Sequence, residues 1–208
     1  MRKNKVLSAA LSAALFVTSA LTASAQTGSK NGNQAASASD QGMIQVLPGV
    51  KQTFSGGDRQ QVQIAREVRH ELAMLPYYSI FDDLKYRVDG TTVTLGGKTI
   101  TNGLKRDAEG VVKNVEGVTN VVNNIQELPP FQDDQRIRMA VARKIFSFGN
   151  LSRYSWEAAP TIHIIVQSGH VSLEGVVDTQ ADKDAAGVQA NGVPGVFSVA
   201  NNLQVLKR

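Results

Sequence analysis

Hydrophobic positions recur along the chain with two clear periods. Ile64, Ala65, Val68, Leu72 and Leu75 fall on one stripe at helical spacing, with Arg59, Arg66, Glu67 and His70 on the opposite side. Asp58 with Gln61 three residues on is a capping-box variant that marks the start of this helix. Leu84, Tyr86 and Val88 then alternate with Lys85 and Arg87, and Val93 and Leu95 alternate with Thr92 and Thr94. With the turn Asp89-Gly90 between them, the two runs predict a hairpin with one buried face. Leu104, Ala108, Val111, Val112 and Val115 form a second helical stripe closed by Gly117 as a left-handed cap, and residues 119–127 return as a third strand. The order is helix, strand, strand, helix, strand.

That order occurs twice. Shifting the chain by 78 residues gives 15 identities over the 45 positions from 84 to 128, where unrelated sequence would give about 3, so the similarity is a duplication. Val93, Leu95, Gly97, Ala108, Gly117, Val118, Val121, Asn123 and Asn124 meet Val171, Leu173, Gly175, Ala186, Gly195, Val196, Val199, Asn201 and Asn202. The second copy's first helix carries Ile137, Val141, Ile145 and Phe148; its hairpin carries Ile162, Ile164 and Val166, then Val171 and Leu173. Its second helix is thinner, with Asp182 in place of Leu104 and glycines at 187 and 192. Asn123 and Asn201 share strand parity with apolar neighbours, and their amides are expected to bond nearby backbone, because a buried amide without partners costs stability. The domains are expected at 58–128 and 133–208, each folding as a separate unit, with residues 129–132 as a linker stiffened by Pro129-Pro130.

Charge changes the picture mainly at the N-terminus. The formal charge of +4 suggests an acidic partner, but Arg2, Lys3 and Lys5 lie in a 25-residue stretch without acids. Without them 19 basic residues face 18 acidic ones, which removes the global electrostatic case for binding nucleic acid. The stretch has a basic start, an apolar run over residues 6–21 and Ala23-Ser24-Ala25 ahead of Gln26, the pattern of a signal peptide cut after Ala25. Ser8, Ser12, Thr18 and Ser19 dilute the run, and no later segment approaches the roughly 20 apolar residues of a membrane span. The expectation is a soluble periplasmic protein with no transmembrane segment in the mature chain. With no cysteine it folds without disulfides. Residues 26–57, rich in Gly, Ser, Asn, Gln and Ala, read as a flexible tether. Its apolar interruption at Ile44, Val46, Leu47 and Val50 reads as a fragment lying loosely on the first domain rather than as a docked stub.

The hairpin glycines Gly90, Gly97, Gly169 and Gly175, together with the runs Gly117-Val118 through Val121, Asn123 and Ile125 and Gly195-Val196 through Val199, Asn201 and Leu203, resemble the BON (bacterial OsmY and nodulation) domain. The resemblance implies an α+β fold: two tandem αββαβ domains, each with two helices packed on a three-stranded mixed sheet. It also implies an envelope location, no catalytic residues, no cofactor, and association with phospholipid or a role in envelope integrity, osmotic stress or protein quality control. A lipidation cysteine and an appended peptidoglycan-binding module, found in some branches of that family, are absent from this sequence.

The residues themselves offer little chemistry. His70, His163 and His170 are the only histidines, and with no cysteine and no placeable carboxylate they read as surface residues rather than metal ligands. Asp178, Asp182 and Asp184 have the wrong spacing for a calcium loop and fit the first turn of a helix. Asp82-Asp83 and Asp133-Asp134 are adjacent pairs whose carboxylates point apart, unsuited to acid–base work. No nucleophile elbow, phosphate loop or dinucleotide fingerprint occurs. What remains is a surface on the second copy. Arg136, Arg143 and Lys144 fall on one side of its first helix, followed by Arg153, Tyr154 and Trp156, a cationic and aromatic set suited to an anionic phospholipid surface. The same set also reads as a solvated basic edge beside an ordinary core. Two partners therefore stay open at this point: an anionic phospholipid surface, or envelope proteins held through exposed apolar surface or a free sheet edge.

Overall fold

The computed structural model describes residues 42–46, 59–156 and 161–206, apart from the side chain of Trp156. The expected signal peptide and most of the 26–57 segment lie outside them. In copy 1, helix α1 (Arg59–Ala73) precedes strands β2 (Asp83–Asp89) and β3 (Thr92–Thr99), helix α2 (Leu104–Lys113), and the short strands β4 (Asn120–Asn123) and β5 (Gln126–Glu127). A further strand, β1 (Ile44–Gln45), comes from the segment read as a tether. Copy 2 repeats the plan with α3 (Gln132–Phe146), β6 (Ile162–Gln167), β7 (His170–Val177), α5 (Gln180–Asn191), β8 (Ser198–Asn201) and β9 (Gln204–Val205). A 3₁₀ turn (Gly149–Ser152) and the short helix α4 (Arg153–Trp156) fill its connection from α3 to β6. The fold is α+β with two mixed sheets. In each, the hairpin is antiparallel and the returning strand runs parallel to the second hairpin strand.

The predicted stripes are the cores. Ile64, Val68 and Leu72 of α1 and Leu104, Ala108 and Val112 of α2 pack on Leu84, Tyr86, Val93 and Leu95; Ile137, Val141 and Ile145 with Ala186 and Ala190 pack on Ile162, Ile164, Val171 and Leu173. Phe148 departs from its stripe. α3 ends at Phe146, so Phe148 lies past the helix and is 47% exposed. The first hairpin turn also sits one residue later than predicted: Asp89 pairs with Thr92, which leaves Gly90-Thr91 as the turn, with Ser168-Gly169 its counterpart.

Two features recur at the same offset. A Cβ on Gly97 would lie 1.9 Å from the Asp83 carbonyl oxygen, and one on Gly175 1.9 Å from that of Thr161, so only glycine lets each hairpin's strands approach this closely. Asn123 Nδ2 donates to the Lys105 carbonyl at 2.8 Å and Asn201 Nδ2 to the Lys183 carbonyl at 2.7 Å, while their Oδ1 atoms accept from the amides of Ile125 and Leu203. Each asparagine ties the third strand to the second helix, and that diversion splits the strand in two. Gly90, Gly117, Gly169 and Gly195 all have positive φ.

The 42–46 segment is docked, not loose. Ile44 and Gln45 pair with Tyr86 and Lys85, Val46 donates its amide to the Leu84 carbonyl at 2.7 Å, and the Val46 side chain is fully buried. A β-branched side chain with a core cavity to fill outweighs the polar composition around it.

Candidate interaction surfaces

Asp133 and Asp134 occupy the first turn of α3, where the helix dipole favours acids. Asp134 turns inward to accept from the amides of Ser168 and Gly169, and buried Arg138 beside it donates to the Val166 carbonyl at 2.7 Å. Asp133 stays outside, 2.8 Å from Arg136. The outer strip of α3 is therefore Gln132, Arg136, Met139 and Arg143, with Lys144 alongside; Met139, 46% exposed, is the member that the apolar-stripe reading passed over. Lys144 donates to the Gly192 carbonyl at 2.7 Å, closing the C-terminus of α5, whereas the Arg143 guanidinium has no partner among the described residues.

Of the rest of the expected cluster, Arg153 and Tyr154 are engaged elsewhere, and the Trp156 side chain lies outside the described residues. Tyr154 is 3% exposed; its hydroxyl donates to Asp182 at 3.0 Å and accepts from the Asp178 amide at 2.9 Å, and burial pushes its pKa up. Arg153 lies over the Tyr154 ring and reaches Asp182 at 2.6 Å and Asp178 at 3.3 Å. Asp182 in turn forms a reciprocal cap with Thr179, the N-cap of α5. Tyr154 is thus a core residue rather than an interfacial one, and Arg153 is held by two carboxylates. The helix-start reading of Asp182 stands.

A second cluster lies where the copies meet, and sequence reasoning missed it. Asp82 is buried and its carboxylate accepts from the hydroxyls of Ser79, Thr99 and Thr101 and the amides of Ser79 and Ile100. Its carbonyl lies 2.7 Å from Nδ1 of His163. A carbonyl only accepts, so Nδ1 carries the proton and Nε2, buried without a partner, is bare. His163 is therefore not a surface residue: it is buried under the stacked ring of Tyr78, and desolvation holds its pKa below the usual histidine value. Asp83 points the other way, to Gln45 and Lys85, and Lys85 is also 3.7 Å from Glu174. Burial raises the Asp83 pKa to about 6, against the opposing pull of Lys85. His170 bonds Ser198 at the surface and His70 is exposed; no group of metal-ligating side chains occurs among the described residues.

The BON domain family matches the chain twice, over residues 60–129 and 133–207. The chain belongs to the BON domain family. Among curated proteins none matches. Two solved structures of CdsD, a structural protein of the type III secretion system of Chlamydia trachomatis, are similar at 11% and 10% identity. The first, its C-terminal domain, covers 71% of this chain and 99% of its own; the second covers 69% and 92%; both have a TM-score of 0.28. The duplicated asparagine ties and hairpin glycines thus lie within two BON domains, as do the α3 strip and the junction cluster.

Proposed function

We propose that this is a non-catalytic periplasmic BON protein, exported by its N-terminal signal peptide, that associates weakly with anionic phospholipid surfaces through copy 2. The observation that carries the reading is the outer strip of α3, where Arg136, Met139 and Arg143 face outward with Lys144 beside them, Asp133 paired with Arg136 and Asp134 turned inward. Arg153 and Tyr154, being engaged with Asp178 and Asp182, take no part. Phe131 and Phe148, 55% and 47% exposed, flank the helix at its two ends and supply apolar groups for the headgroup region. Copy 1 has the opposite character. The groove between α1 and α2 is lined by Glu67, Glu71 and Glu116, which repel an anionic surface.

Each cation near such a surface contributes about 1 kcal/mol, so three give binding that is reversible and sensitive to salt. The test is flotation of the full chain with neutral and anionic liposomes at low and high salt. Anionic preference at low salt that is lost in Arg143→Glu with Met139→Asp, and kept in Arg66→Glu, is the expected result. Binding to neither vesicle would leave the other reading, a module that holds envelope proteins under osmotic or envelope stress, which the strand-accepting sheet edges favour.

A further inference from the structure

Both copies leave the outer edge of their first hairpin strand to be closed by a segment from outside the αββαβ unit. In copy 2 the filler is Ile80, whose carbonyl accepts from the Ile164 amide at 2.7 Å. In copy 1 it is β1, with Ile44 opposite Tyr86. Tyr86 and Ile164 are equivalent in the repeat, so Ile44 and Ile80 occupy the same place. Their attachments differ. Ile80 is built into the α1–β2 connection and fixed by its neighbour Asp82, whereas β1 reaches α1 only through residues 47–58.

The edge that holds β1 is a formed site. It offers the backbone of Leu84–Tyr86, a core pocket that buries Val46 completely, the buried carboxylate of Asp83 accepting from Gln45 Nε2 at 2.8 Å, and the Tyr78 hydroxyl donating to the Val46 carbonyl at 2.8 Å. These groups read an aliphatic residue, an amide and a β-branched residue in order along an extended chain. Among the described residues β1 ladders with two of the seven residues of β2, and Gly42, at φ +77, lies outside the extended conformation.

We infer that the β2 edge is a peptide-binding site, and that β1 fills it as an internal ligand which an extended segment of another protein displaces. Strand addition supplies the affinity through main-chain hydrogen bonds, and the pockets for Val46 and Gln45 supply selectivity. The tethered β1 competes at high effective concentration, so a client must bind the edge more tightly than the β1 segment does as a free peptide. This goes beyond the lipid reading and is independent of it.

The test uses the full chain, its Val46→Asp variant, and a fluorescein-labelled peptide carrying residues 42–48 with the change Gly42→Thr. Placing a carboxylate in the Val46 pocket expels β1. The expected result is peptide binding by the variant at least about tenfold tighter than by the parent. A further change of Tyr78→Phe should weaken it, and a scrambled peptide should not bind. Equal binding by parent and variant, or binding of the scrambled peptide as well, overturns the inference. So does absence of binding by a variant that keeps the parent's far-ultraviolet circular dichroism. If Val46→Asp unfolds copy 1, Val46→Ala gives the same comparison at smaller amplitude and is read the same way. A parent chain that elutes as a dimer, and becomes a monomer in either Val46 variant, would assign the edge to exchange of β1 between two chains and overturn the client reading.

Discussion

Copy 1 and copy 2 close the same sheet edge with segments of different origin, and the difference sets an order of dependence. Copy 2 borrows from copy 1: Ile80 and Phe81 pack into its core, and the Asp82 carbonyl holds His163. The core of copy 1, among the described residues, takes nothing from copy 2; it takes Ile44 and Val46 from upstream. The expectation of two units folding separately across Pro129-Pro130 then becomes a graded one: a fragment beginning after Leu128 lacks Ile80 and Phe81 and is expected to be the less stable, while copy 1 with residues 42–46 keeps its described core contacts. A duplicated domain can thus become asymmetric without changing its fold, through what lies on its edge.

The largest effect that would break this comparison is expected at Asp82. Asp82→Ala leaves Thr99 Oγ1 and the Ile100 amide without their acceptor and frees the 79–82 loop, so a cost of about 4 kcal/mol is expected. Urea unfolding followed by residue-resolved NMR should show both copies destabilised. Movement of copy 1 alone would mean that copy 2 does not lean on this loop. Ile80→Ala is expected to cost about 2 kcal/mol, and to place it on copy 2 although the residue belongs to copy 1.

How much of this was legible follows from which forces are local. The helical stripes and strand alternation report burial within a copy, and they placed Ile64, Leu72, Leu84, Leu95, Ile137 and Ile164 correctly in the two cores. The asparagine ties were legible because an amide at an apolar strand position must find backbone partners. Contacts between copies have no period and stayed hidden. One signal of them was present: residues 162–166 are Ile-His-Ile-Ile-Val, a nearly continuous apolar run where copy 1 alternates. Such a run marks a strand covered on both sides, and β6 is buried at every one of these positions. At the surface, Tyr154 resembled an interfacial aromatic because its partners Asp178 and Asp182 lie more than twenty residues away. Met139 and the bond from Lys144 to Gly192 depend on how α3 and α5 pack, which no local pattern encodes.

Acid and base distinguish the two sides of the junction by a smaller amount. Asp83, with its pKa raised to about 6, contributes stability that is present at pH 4 and lost as pH rises through 6. His163, with its pKa lowered by burial, contributes stability that is present above the ordinary histidine value and lost on acidification below it. The two oppose each other in the parent. Asp83→Asn should raise stability at pH 7 by about 1 to 2 kcal/mol and steepen the loss between pH 6.5 and 5, read as Tm against pH. A variant whose Tm tracks the parent across that range would remove Asp83 from the account. The smallest effect is expected for Lys98→Ala, which deletes the exposed bond to Gln167 between the copies and should cost under about 0.5 kcal/mol. A larger cost would place the hold between the copies at their exposed rim and not at the buried Asp82–His163 contact.

The most direct test of the central claim, that one edge is locked by the fold and the other closed by a detachable strand, is residue-resolved amide hydrogen exchange on the full chain. The Ile164 amide bonds the Ile80 carbonyl and the Val46 amide bonds the Leu84 carbonyl, both at 2.7 Å, so geometry alone gives them equal protection. Ile164 is expected to exchange only with global unfolding of copy 2, whereas Val46 exchanges through local release of β1, at least about tenfold faster than the core amides of copy 1. Equal protection at Val46 and Ile164, or an Ile164 amide that exchanges as freely as an open edge, would contradict that claim.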